Sequence, residues 1–202
     1  MAEEKIVFHS GTLKLEGLLG MSSGQSGVVV THPHPMYGGD MYNNVVESVI
    51  KAYSEKRYAT LRFNFRGAGG SEGDYDDGIG EQEDLKAALQ YLHGLGKRSI
   101  DLVGYSFGAW INALGMESLD QVKRMIMISP PVAFMDFSFL RCHPRIQLVI
   151  AGSADDIAQP EMIRAMLQTW NPDARFEIIQ GADHFYWGRD GELKSIIQEF
   201  LD

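Results

Sequence analysis

The chain predicts an α/β fold: a mostly parallel central sheet, covered by helices on both faces, with an antiparallel edge. Three observations predict it. Short apolar runs alternate with helical patterns from residue 27 to the end. The run GVVVTH (27–32) is continuously β-branched, as expected of a strand buried on both sides. Before it, IVFHS and LKLEGLLGM flank Gly11 and form a hairpin that adds the antiparallel edge.

The elements follow in order. After GVVVTH, Asn43 or Asn44 caps a helix through VVESVIKAYSEK. ATLRFNF (59–65) alternates and reads as a strand. The Gly-rich stretch Arg66 to Gly80 joins two regular elements and reads as a loop. GEQEDLKAALQYLHGLG is a helix with Leu85, Ala88, Leu89 and Leu92 on one face, ending at a glycine. SIDLVGY (99–105) is a strand and FGAWINALGM a helix. KRMIMIS and RIQLVIAGS are two more strands. PEMIRAMLQTW is a helix opening on proline, RFEIIQG the last strand and GELKSIIQEFL the last helix. No repeat or linker divides the chain, so residues 1–202 are expected to form one domain.

Composition narrows the function. A net charge of -9 argues against nucleic acid and anionic membrane as partners, since both reward a basic face. Cys142 is the only cysteine, which rules out an internal disulfide and a multi-cysteine zinc site. MAEEKIVF has no apolar core of signal-peptide length, and no run reaches the roughly 18 apolar residues of a membrane helix. A cytoplasmic enzyme or binding protein is the expectation.

Ligands of open α/β sheets bind outside the carboxyl ends of the strands. The residues there are His32–Gly39, Arg66–Gly73, Ser106–Phe107, Ser129–Phe134, Ser153–Asp156 and Ala182–Trp187. Ser106 sits in G-x-S-x-G between Gly104 and Gly108, with a strand running into it and a helix running out. That is the setting of a nucleophile elbow, whose glycines admit the close strand–helix passage. A helix-capping serine between packing glycines is the plainer alternative. A serine hydroxyl needs a base, and His184 follows the last strand, after the serine in the chain. His9, His93 and His143 lack that placement. The imidazole needs an acid, and Asp155 and Asp156 both end the strand RIQLVIAGS, although only one should reach it. Asp183 adjoins His184 and is a poor orienter, because neighbouring side chains seldom face each other.

At this point the chain resembles the α/β-hydrolases, and within them a group of small, capless bacterial hydrolases. The resemblance rests on HPHPMYGG (32–39), LRFNFRGAGGSEG (61–73), GYSFG (104–108), AGSADD (151–156) and GADHFYWGR (181–189). It implies an α/β-hydrolase fold of about eight strands without a cap domain, and it makes Asp155 the acid. Members are described as esterases or dienelactone-hydrolase-like enzymes. Dienelactone hydrolases proper use cysteine where this chain has serine, so their lactone substrate does not carry over. The resemblance also implies an oxyanion hole of two backbone N–H groups, from Phe107 and from the loop after GVVVTH, by analogy His34. Together these imply a serine hydrolase acting on a small or medium acyl ester, with no cofactor and no metal. An amidase, peptidase or thioesterase on the same residues, or a non-catalytic binding protein, are the rivals.

The remaining candidates concern the pocket. PPVAFMDFSFLRCHPR, between two strands, is too short for a lid domain. Val132, Phe134, Met135, Phe137 and Phe139 make it apolar, with half or more expected in the core and the rest as pocket wall. Tyr37, Trp110, Tyr186 and Trp187 are further aromatic candidates, and Tyr37, Trp110, Phe134 and Tyr186 are the expected substrate contacts. Arg66 and Glu72 read as internal ties of their loop. His32 and His34 would make a metal pair only if they shared a face, and strand alternation separates them. Pro33 and Pro35 lack N–H groups, so they stiffen the loop and leave the donor role to its other amides.

Overall fold

The computed structural model describes residues 2–202. Its centre is one eight-stranded sheet in the order β1-β2-β4-β3-β5-β6-β7-β8. The strands are β1 Glu4–Ser10, β2 Leu13–Gly20, β3 Ser26–Thr31, β4 Ala59–Phe63, β5 Ser99–Tyr105, β6 Val122–Ile128, β7 Ile146–Gly152 and β8 Arg175–Ile179. β1 pairs with β2, and β2 with β4, antiparallel; every other pairing is parallel. The helices are α1 Asn44–Glu55, α2 Ile79–Gly94, α3 Phe107–Gly115, α4 Pro160–Trp170 and α5 Asp190–Leu201.

The two faces of the sheet build two cores. Val29 and Leu102 turn to one side, with Leu85 and Leu89 of α2, Ile111 of α3 and Ile163 of α4. Val28, Val30 and Val103 turn to the other, with Val45 and Val49 of α1 and Leu193 and Ile197 of α5. Period-two alternation explains the split, and a strand buried on both faces must be apolar throughout. Each such side chain contributes about 1.5–3 kcal/mol on leaving water.

β4 departs from its alternating sequence, because all five of its residues are buried. Arg62 tolerates this through the Glu3 carboxylate, at 2.6 and 3.0 Å, and the Met41 carbonyl, at 3.0 Å. Asn43, of the two candidates, caps α1, its side chain accepting from Val45 N at 2.9 Å. Asn44 instead donates to the Phe185 carbonyl at 3.0 Å, tying α1 to the loop after β8.

The strand order places the site. From β3 the chain steps to β4 on one side, and β5 then lies on the other. A crevice opens at such a reversal, outside the carboxyl ends of β3 and β5. The loops leaving those strands carry His34 and Ser106.

Candidate active site

Ser106 joins β5 to α3 at φ 53° and ψ -119°, a backbone state that costs a non-glycine residue energy. Thr31 lies directly beside Gly104 in the sheet. A Cβ on Gly104 would stand 2.6 Å from Ala109 Cα, and one on Gly108 would stand 2.6 Å from the Thr31 carbonyl oxygen. Glycine at both positions lets α3 pass close enough to hold the strained turn.

The turn aims Ser106 Oγ at His184, whose Nε2 is 2.9 Å away. His184 Nδ1 lies 2.9 and 3.0 Å from the two oxygens of Asp155. With Nδ1–H donating to the carboxylate, Nε2 is left to accept from the serine. The Tyr105 hydroxyl donates to the His184 carbonyl at 2.7 Å and steadies the loop.

Asp155 is buried and fully occupied. Oδ1 accepts from the N–H groups of Ile157 and Ala158 at 2.9 and 2.7 Å. Oδ2 accepts from the Ser129 hydroxyl at 2.7 Å. Burial alone would raise this carboxyl. The hydrogen bond and charge of His184, then the Ala158 N–H and the Ser129 hydroxyl, outweigh it and hold the group below its ordinary value. Asp156 is exposed. Asp183 accepts from Phe185 N and Tyr186 N at 2.9 and 3.1 Å, so it shapes the turn around His184.

Sequence reasoning assigns Ser129 no role. It follows β6 at φ 44°, is buried, and links Asp155 to the Tyr186 hydroxyl, 2.7 Å away. Its strand-end position, one strand from the acid, was the available signal.

The site opens on a cavity of about 750 Å³. Tyr37 and Phe134, both expected at the substrate, line it with Met135, Ile157, Phe185 and Phe107. Two expectations need correction. Tyr186 is completely buried, with its hydroxyl on Ser129, and is not part of the wall. Its φ of 57° turns it inward, while its neighbour Phe185 reaches the cavity. Trp110 also lies off the wall, its indole N–H donating to the Asp136 carbonyl at 2.9 Å. In the β6–β7 connection, Val132 and Phe137 are core and Phe134 and Met135 face the cavity. Arg66 binds Asp84 through Nε and Nη2 at 3.1 and 2.8 Å, and Glu72 accepts from Lys14 N at 2.8 Å, so both tie their loop.

The N–H groups of Phe107 and His34 donate to no protein acceptor among the described residues, and both residues line the cavity. Phe107 opens α3, where the first amides have no partner within the helix and carry the positive end of its dipole. The His34 carbonyl accepts from Tyr37 N and Gly39 N, and a short 3-10 turn, Pro35–Tyr37, follows it.

The two histidines differ sharply. His32 lies just past β3, completely buried. Its Nδ1 meets the Pro33 carbonyl at 2.6 Å, and its Nε2 accepts from Phe65 N at 3.0 Å. Both nitrogens are used to tie the loop after β3 to the end of β4. No group of three or more potential metal ligands occurs among the described residues. The His34 ring packs against Phe107, with centroids 4.6 Å apart and planes tilted by 43°, and accepts from Met36 N through Nδ1.

Burial pushes the His32 pKa from 6.5 down to about 4, only partly opposed by the Pro33 carbonyl. The unfolded chain therefore binds more protons than the folded one between those values. The stability tied to neutral His32 is complete above pH 6.5 and is lost as pH falls toward 4, by roughly 3 kcal/mol. Urea midpoints across that range are expected to fall with pH in the native protein and to flatten in His32→Asn. Parallel pH slopes in the two proteins would remove this role.

Comparison with known proteins agrees with the architecture. Residues 28–148 match the model of the alpha/beta hydrolase family. An uncharacterized protein of Rickettsia prowazekii is 33% identical, over 98% of this chain and 88% of its own length. An alpha-beta serine hydrolase homologue from Coxiella burnetii superposes with TM-score 0.92 at 34% identity, covering 100% of this chain and 99% of the other. A Xanthomonas campestris protein described as an a/b serine hydrolase without lid gives TM-score 0.89 at 28% identity, covering 100% and 94%.

Proposed function

The chain belongs to the alpha/beta hydrolase family, and from that premise we propose that it is a serine hydrolase cleaving small or medium acyl esters. The observation that carries the proposal is the relay from Ser106 Oγ to His184 Nε2 and from His184 Nδ1 to Asp155, at 2.9 Å in each step. A buried carboxylate, an oriented imidazole and a strained serine at the mouth of a cavity are suited to acyl transfer.

His184 takes the proton of Ser106 as Oγ attacks the acyl carbonyl. The N–H groups of Phe107 and His34 are proposed to hold the oxyanion; one such donor is worth about 3 kcal/mol. His184 then protonates the leaving alcohol. Water, deprotonated by the same imidazole, attacks the acyl carbon; the acyl–serine bond breaks, the imidazole returns the proton to Oγ, and the acid is released. Every step uses groups of this chain, the substrate and water. The substrate is a small molecule. No helix among the described residues is long and apolar enough to cross a membrane, and a lone exposed thiol, Cys142, suits a reducing cytoplasm.

The test is covalent labelling with a fluorophosphonate, followed by p-nitrophenyl esters of increasing acyl length. The native protein is expected to take up one label at Ser106 and to turn over short esters. Ser106→Ala and His184→Ala are expected to do neither. Equal hydrolysis by all three proteins would overturn the proposal.

A further inference from the structure

We propose that the cavity selects uncharged esters with an aromatic or bulky apolar part, and that it rejects the carboxylate it releases. This deepens the serine-hydrolase reading and rests on it.

None of the residues lining the 750 Å³ cavity is Asp, Glu, Lys or Arg. Several of its polar side-chain atoms are already committed. Asn43 caps α1. Tyr105 donates to the His184 carbonyl. His34 Nδ1 accepts from Met36 N. Ser106 and His184 hold one another. Among the described residues the Asn43 NH2 group, His34 Nε2 and the Tyr37 hydroxyl have no such partner, and Tyr37 is 88% exposed. An anionic group entering here would lose its hydration and gain no side-chain cation in return, only the Phe107 and His34 N–H groups, which is costly. An apolar group would instead displace water from Phe134 and Phe185, which stand 76% and 52% exposed.

The charges that reach the wall carry the same sign as such an anion. Asp77 acts on His34, and Asp155 and Asp183 act on Tyr105. The whole chain adds a net charge of -9. Like charges brought together suppress the wrong partner.

This matters most at the end of the cycle. A neutral ester and water become a carboxylate, a proton and an alcohol. His184 passes one water proton to Ser106 Oγ as the acyl–Oγ bond breaks and the water oxygen bonds to the acyl carbon, and the second proton is lost when the released carboxylic acid ionises. The product differs from the substrate in the one property this cavity opposes. Hydrolysis therefore weakens the grip on its own product.

Binding to Ser106→Ala protein reads the selection without turnover. The probes are 4-phenyl-2-butanone, uncharged, and 3-phenylpropanoate, an anion of matched size. Titration calorimetry at pH 7.5 and low salt is expected to show the ketone bound at least about ten-fold more tightly. In the same background, Phe134→Lys is expected to narrow the gap by supplying the missing cation. Equal binding, tighter binding of the carboxylate, no binding of the ketone, or a gap unmoved by the lysine would overturn the proposal. Fluorophosphonate labelling of the native protein reports separately on the hydrolase reading.

Discussion

Asp155→Asn is expected to lower kcat by about ten-thousand-fold while leaving the fold intact. The reason lies in which donors surround the carboxylate. Ile157 N–H and Ala158 N–H both point at Oδ1, at 2.9 and 2.7 Å. An asparagine there places its carbonyl oxygen against those two donors. Its NH2 group then occupies the Oδ2 position, facing His184 Nδ1 and Ser129. It donates to Nδ1 and drives the imidazole proton to Nε2. An Nε2–H cannot accept the proton of Ser106, 2.9 Å away, so the serine loses its base. Steady-state turnover and the rate of fluorophosphonate labelling should fall together. A loss below about ten-fold would mean that the imidazole keeps its tautomer without Asp155.

The same substitution changes how stability depends on pH. Burial raises the Asp155 carboxyl, but His184 and the surrounding donors bring it below its ordinary value. Its stabilising contribution is therefore present above the ordinary carboxylate range and is lost as pH falls through the lowered folded value. The asparagine variant lacks that component.

The layered fold was legible because burial on two faces leaves a mark in one dimension. GVVVTH and SIDLVGY have to be apolar to pass between two helical layers, and both became central strands. The alternation of ATLRFNF identified a strand but not the burial of its polar positions, because Arg62 is held by partners far away in sequence, Glu3 and Met41. The positions of Ser106 and His184 followed from counting strand ends. The choice between Asp155 and Asp156 depended on local turn geometry that spacing does not encode. Tyr186 and Trp110 show the same limit: in a turn, a positive φ or one indole hydrogen bond decides which side of the wall a ring occupies. Ser129 was hidden for another reason. Its importance comes from a neighbour 26 residues away, across the β6–β7 pairing.

Gly108→Ala is expected to damage the site far more than an added methyl group would suggest. The new Cβ would stand 2.6 Å from both the carbonyl oxygen and Oγ1 of Thr31, and 2.8 Å from the His32 carbonyl oxygen. Two of those atoms are backbone at the end of a central strand and cannot rotate away. The contact can be relieved only if α3 backs off from β3, and α3 carries Ser106 at its head. A shift of about 1 Å in the nucleophile is enough to cost roughly a hundred-fold in rate. Overpacking itself costs about 1–3 kcal/mol, which lowers Tm by several degrees in a chain of this size. Gly115 provides the control within the same helix. A Cβ there meets nothing closer than 3.4 Å, and its backbone is helical at φ -78°. Gly115→Ala is expected to be neutral or to stabilise by up to about 1 kcal/mol, with labelling at Ser106 unchanged. Thermal unfolding and probe uptake on the pair separate the two positions. Full labelling and a native Tm in Gly108→Ala would show that the elbow does not depend on close passage of the helix.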